Sequence, residues 1–108
     1  MELKKIVAIV RTRVLADVED QLIEMRVKGI SVTRVKGYGE YDTFINPDWR
    51  STHARIEIYA ELSMVDTIVK AILKSAHYGA AGDGIVAIHP VEKLYRIRSG
   101  VEISESEI

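Results

Sequence analysis

The sequence predicts an α+β sandwich of the ferredoxin-like β-α-β-β-α-β type, and three observations lead there. Two stretches with helical apolar spacing are each flanked by β-prone runs, so the chain reads as two similar halves. Two helices cover only one face of a four-stranded sheet. The first and fourth strands are nevertheless apolar on both faces, so another copy of the chain is the economical cover for the second face. With 108 residues the chain makes one domain over 1–108, large enough for a core and small enough to gain from oligomerisation.

Ile6-Val7-Ala8-Ile9-Val10 is a continuous β-prone run and reads as a strand covered on both faces. Val14, Leu15, Val18, Leu22 and Met25 then fall at helical spacing, with Asp17, Glu19, Asp20 and Glu24 on the other side. Gly29, after Lys28, fits the stop of that helix. Ile30 to Lys36 is rich in β-branched residues and reads as the second strand, ending in Gly37-Tyr38-Gly39. From about residue 40 to 52 all periodicity breaks, and the stretch carries Tyr41, Phe44 and Trp49. Large rings in a loop either fold back onto the body or meet a partner.

The third strand alternates cleanly, Ala54, Ile56, Ile58, Ala60 and Leu62 against His53, Arg55, Glu57, Tyr59 and Glu61. Ser63 with Asp66 resembles a capping box, and Met64, Val65, Ile68, Val69, Ile72, Leu73 and Ala76 trace the second helix. Gly79 ends it, Ile85 to Ile88 make the fourth strand, and the acidic tail from Val101 is expected to be loose.

Composition removes several functions. Fifteen basic and 16 acidic residues leave a net charge of -1, which gives no field for nucleic acid or an anionic membrane. No cysteine means no disulfide, thiolate nucleophile or Cys-ligated zinc. The run Ile6 to Val10 is too short for a signal peptide or a membrane span, so a cytoplasmic protein is expected. His53, His77 and His89 lie far apart without metal-ligand spacing, and no metal is expected. There is no nucleophile elbow, Ser/His/Asp set or carboxylate pair, so the chain does not read as an enzyme.

The chemistry concentrates between residues 75 and 98. Gly79, Gly82 and Gly84 surround Asp83, and Arg96 and Arg98 stand on alternate positions beyond Pro90. Glycines let the backbone approach a ligand and aim successive N–H groups at an anion. Arginines two apart on an extended segment project to one side and can fork onto phosphate or carboxylate oxygens. The order helix end, Gly-rich turn, strand, Arg-x-Arg suggests an anion or nucleotide site. The alternative is an ordinary Gly-Asp-Gly turn, with Asp83 capping it, and a solvated arginine edge.

KKIVAIVRT at the start, GISVTRVKGYG over the second strand and HYGAAGDGIVAIHPVEKLYRIRSG near the end together resemble the PII signal-transduction family (nitrogen regulatory protein P-II) over nearly the whole chain. The resemblance implies a homotrimer that binds an adenine nucleotide in clefts between subunits. It also implies a loop that engages a transporter, enzyme or regulator according to the bound ligand. Gly29, Ile30, Ser31 and Tyr59 would hold the adenine, with Gly37, Tyr38 and Gly39 bordering ribose and phosphates. Ala81, Gly82, Asp83 and Gly84 would cradle the phosphates by N–H groups, and Arg96 and Arg98, from the segment 95–108, would reach across from the neighbour.

The departures from that pattern narrow the expectation. Ala80 and Ile85 stand where the family commonly carries phosphate-facing lysines, which favours ADP or AMP over ATP, or weakens nucleotide binding. Tyr41 replaces the glutamine, and His53 the lysine, that serve Mg-ATP and 2-oxoglutarate, so sensing of that oxo-acid is not expected. The loop is shorter than usual and its aromatics do not match the modified tyrosine of uridylylated members. Two alternatives stay open. Arg50, His53 and Arg55 could bind another small anion such as bicarbonate, unless Arg55 and His53 pair with Glu40 or Glu57; or the trimer could bind a divalent metal.

Overall fold

A computed structural model describes residues 2–35 and 53–104. Strand β1 (Leu3–Arg11) leads through a 3-10 turn (Thr12–Val14) into helix α1 (Leu15–Glu24), and β2 spans Ser31–Val35. Strand β3 (His53–Glu61), helix α2 (Leu62–Ala76) and strand β4 (Gly84–Val91) follow, and β5 (Tyr95–Arg96) pairs with β6 (Val101–Glu102) as a separate hairpin. The main sheet is antiparallel in the order β2-β3-β1-β4, as the ferredoxin-like pattern requires.

Period-two alternation decides the two faces. Ile6, Ala8 and Val10 of β1 and Ile56, Ile58 and Ala60 of β3 point to the helices and form the core with Val18 and Leu22 of α1 and Val65, Ile68 and Ile72 of α2. Those helical residues recur every three or four positions, so one stripe of each helix is buried; α2 lies on β1 and β3, and α1 packs against α2. The register opposes Val7 to Glu57, Ile9 to Arg55 and Arg11 to His53 on the other face. β1 is buried along most of its length, as its unbroken apolar run predicts. β4 is an edge strand, longer than expected, and Ile85 and Ile88 are about half exposed.

Several boundaries differ from expectation. The first helix stops at Glu24, well before Gly29, and Arg26 takes the left-handed conformation (φ 62°). Val27 N donates to Leu22 O at 3.1 Å and Arg26 N to Ile23 O at 2.9 Å, the paired bonds of a Schellman stop. These bonds offset the cost of a side chain there, about 1–2 kcal/mol. Ser63 is no cap: α2 begins at Leu62, whose amide donates to Glu2 O at 2.9 Å, while the Ser63 hydroxyl donates to the Glu61 carboxylate at 2.8 Å. The tail is not loose from Val101, because Arg96 pairs with Val101, Tyr95 with Glu102, and Ile103 N donates to Leu94 O. That hairpin also separates the two arginines. Only Arg96 is on a strand, and Arg98 is exposed in the turn that Gly100 closes at φ 71°, so they do not share one extended face.

Candidate functional site

Two half-sites stand on opposite edges of the sheet. At the first, the chain leaves the Schellman stop as an extended segment into β2, alongside the end of β3. A cavity of about 390 Å³ opens there, lined by Gly29, Ile30, Ser31, Tyr59, Met64 and Arg96 among others. The residues expected around an adenine thus converge, although they come from two separated stretches. A Cβ at Gly29 would meet nothing within 4 Å, so this glycine keeps the wall open rather than relieving backbone strain. Arg96 also lines this cavity within the chain.

The second half-site is the glycine loop between α2 and β4. Asp83 organises it: its Oδ2 accepts from the amides of Tyr78 (2.9 Å) and Gly79 (2.8 Å), so the carboxylate caps the turn as its position between glycines suggests. Arg11, at the end of β1, donates from Nη2 to Ala81 O at 2.7 Å, and its Nε lies 3.5 Å from Asp83 Oδ1. His53, the first residue of β3, is 2% exposed, and its Nε2 donates to Gly82 O at 2.7 Å, the carbonyl being able only to accept. The loop is therefore held from β1 and from β3 by side chains far away in sequence.

This geometry revises two expectations. Asp83 N donates to Ala80 O at 3.2 Å, so its amide is not available to a phosphate, and Gly84 is already in the strand opposite Val10. Among the described residues the amides of Ala81 and Gly82 remain as the loop's unengaged donors. His53 is turned inward and Arg55 Nε pairs with Glu57 Oε1 at 3.3 Å, so the two form no open cationic pair for a small anion. Gly37, Tyr38, Gly39, Tyr41, Phe44, Trp49 and Arg50 lie outside the described residues. Among the described residues no three His, Asp or Glu side chains come together as metal ligands.

Arg11, Arg13 and Tyr78 stand at the glycine loop and were passed over by the sequence reading. The Arg13 guanidinium carbon lies 4.9 Å from the centre of the Tyr78 ring, beside the loop. The signal was available: Arg11-Thr12-Arg13 runs from the end of β1 into the 3-10 turn with the same Arg-x-Arg spacing as Arg96 and Arg98.

The Tyr78 amide above all, with those of Gly79 and Ala80 and the Arg11 guanidinium, holds the Asp83 carboxyl below its ordinary range, against the upward push of partial burial. A carboxyl lowered by folding stabilises the fold fully above its unfolded value of about 4 and loses that contribution as pH falls through the lowered folded value. Thermal melts of Asp83→Asn should therefore lie below wild type at neutral pH, with the gap closing on acidification below about pH 4. A gap that does not depend on pH would show that the charge of Asp83 does not hold the loop.

Comparison with known proteins agrees with this architecture. The family model for "Nitrogen regulatory protein P-II" matches residues 3–101. The chain is 36% identical over 110 residues to nitrogen regulatory protein P-II of Azospirillum brasilense, covering 91% of this chain and 94% of that one. Nitrogen regulatory protein P-II 1 of Escherichia coli K12 is 35% identical over 112 residues, with 93% and 96% covered. The crystal structure of Arabidopsis thaliana PII bound to citrate superposes with a TM-score of 0.79 at 27% identity, covering 97% of this chain and 88% of that one. A β2-β3-β1-β4 sheet with both helices on one face, matched over almost its full length by these relatives, places this chain in the PII family of signal-transduction proteins.

Proposed function

We propose that this PII-family protein is a non-enzymatic cytoplasmic sensor that binds an adenine nucleotide between the subunits of a homotrimer. The observation that carries this is the placement of the two half-sites. Ser31 begins one edge strand and Gly84 begins the other, three strand spacings away and three residues along, or about 14 Å across the sheet and about 10 Å along it. One chain cannot close both around one nucleotide. A head-to-tail contact that sets the β4 edge of one copy beside the β2 edge of the next brings them together, and repeated by rotation it closes a ring. The half-exposed Ile85 and Ile88 on β4 supply apolar surface for that contact.

In this reading Gly29, Ile30, Ser31 and Tyr59 hold the base, with Gly37, Tyr38 and Gly39 near the ribose and phosphates. The loop at Ala81, Gly82, Asp83 and Gly84 meets the phosphates, and Arg96 and Arg98 supply charge. Ala80 and Ile85 in place of lysines favour ADP or AMP over Mg-ATP with 2-oxoglutarate. The loop carrying Tyr41, Phe44 and Trp49 would report occupancy to a transporter, enzyme or regulator. Among the described residues no helix is long and apolar enough to cross a membrane.

The test joins mass and affinity. Sedimentation should give three times 12.1 kDa, and calorimetry should detect ADP or AMP. Arg96→Ala should weaken that binding about 10- to 100-fold, the worth of a charge-assisted hydrogen bond. A 12.1 kDa species that binds no nucleotide overturns the proposal. Citrate, present in the Arabidopsis PII structure, belongs in the same titration as the competing small anion.

A further inference from the structure

We infer that Arg13, supported on the ring of Tyr78, is the side-chain cation of the glycine-loop half-site and makes affinity depend on the number of phosphates in the ligand. This rests on reading the half-sites as a nucleotide site and adds a residue that sets specificity within it.

Arg13 stands in the 3-10 turn directly after β1, and its guanidinium carbon lies 4.9 Å from the Tyr78 ring centre. A guanidinium held over a ring by its charge engages none of its N–H groups in hydrogen bonds there, so they can still fork onto phosphate oxygens. Among the described residues those N–H groups have no acceptor, so the charge is positioned and not neutralised.

The platform is itself fixed to the loop. Tyr78 is 66% exposed, yet its backbone amide is bonded to Asp83 Oδ2 at 2.9 Å, one residue before Gly79. A ring held there keeps Arg13 beside the loop. Arg11 cannot take this role, because it already donates to Ala81 O at 2.7 Å and faces Asp83. Positions 80 and 85, the places for loop cations, are Ala and Ile. Arg13 is thus the arginine flanking this loop with donors left for a ligand. Lysine in its place would keep the charge but lose the planar fork and the guanidinium's contact with the ring.

Calorimetric titration of the intact protein with adenosine, AMP, ADP and ATP tests this, using wild type, Arg13→Gln, Arg13→Lys and Tyr78→Leu. Wild type should bind more tightly with each added phosphate up to ADP. Arg13→Gln should cut ADP affinity at least 10-fold while leaving adenosine unchanged. Arg13→Lys should recover part of the loss, and Tyr78→Leu should weaken ADP binding in the same direction by freeing the guanidinium. Arg13 is on the surface, and matching thermal melts will establish that the variants fold. The inference is overturned if Arg13→Gln keeps the full gain from adenosine to ADP, or if adenosine binding falls equally. If wild type binds none of the four ligands, the nucleotide reading fails and takes this inference with it, an outcome distinct from intact wild-type binding that ignores Arg13.

Discussion

Gly84→Ala should strongly destabilise this domain. A Cβ at Gly84 would stand 1.7 Å from the carbonyl oxygen of Ile9 and 2.8 Å from its carbonyl carbon, where an ordinary contact begins near twice the shorter distance. Ile9 belongs to β1, which is hydrogen-bonded on both sides by β3 and β4, so its backbone cannot withdraw without breaking a ladder. Gly84 also has φ 110°, a conformation that side chains rarely adopt, and that alone costs about 1–3 kcal/mol. Together the clash and the strain should exceed about 4 kcal/mol, a large part of the 5–15 kcal/mol that keeps a typical domain folded. Urea unfolding followed by circular dichroism measures it. Gly29→Ala is the control, because nothing stands within 4 Å of its Cβ position, and it should change stability by less than about 0.5 kcal/mol. A Gly84→Ala protein that unfolds at the wild-type midpoint would contradict the close strand approach.

His53→Ala should be the next most damaging change, at about 2–4 kcal/mol. His53 is the buried polar side chain among the described residues, and its Nε2–H donates to Gly82 O at 2.7 Å. Truncation removes that bond and leaves a carbonyl without its donor, worth about 1–3 kcal/mol, and the vacated ring volume adds a packing loss. The damage should also be local. Amide hydrogen exchange across residues 79–84 should accelerate more than exchange in α1, because the bond ties the loop to β3. His53→Gln, which can present an N–H at similar reach, should recover part of both effects. Wild-type stability with unaltered exchange in the loop would mean that His53 merely fills space.

The latch bears on signalling as well as stability. His53 is the first residue of β3 and directly follows the stretch that joins β2 to β3, while Gly82 lies in the proposed phosphate loop. A ligand that shifts the loop would therefore act on the residue where the segment proposed to meet a partner returns to the sheet. The same bond explains why His53 and Arg55 do not make an anion pocket: one is committed inward to Gly82 O, and the other to Glu57.

Much of the fold was legible because it follows from local periodicity. The apolar run at Ile6 to Val10 marks the central strand, and the alternation from Ala54 to Ala60 marks a strand with one buried face. Helix ends were less legible. Gly29 has the residue type of a helix stop, but the stop forms at Arg26, where two hydrogen bonds outweigh the left-handed strain. Ser63 has the residue type of a cap, but its hydroxyl is taken by the Glu61 carboxylate and the first helical amide, at Leu62, is met by the Glu2 carbonyl. Arg96 and Arg98 look paired in one dimension and are separated by a turn in three. Gly29, Ile30, Ser31 and Tyr59, grouped by family likeness, line one cavity, whereas Arg11, Arg13 and Tyr78 at the glycine loop were not singled out.

The sequence by itself determined the four main strands and two helices, the helix-facing core and the family to which the chain belongs. Apolar spacing acts over a few residues, and family motifs are carried by the order of residues. Only the tertiary structure decided which polar groups hold the glycine loop. His53 meets Gly82 across 29 residues and Arg11 meets Ala81 across 70. Those contacts depend on the register in which β1 accepts β3 and β4 together, and no local pattern encodes a distance measured through the sheet.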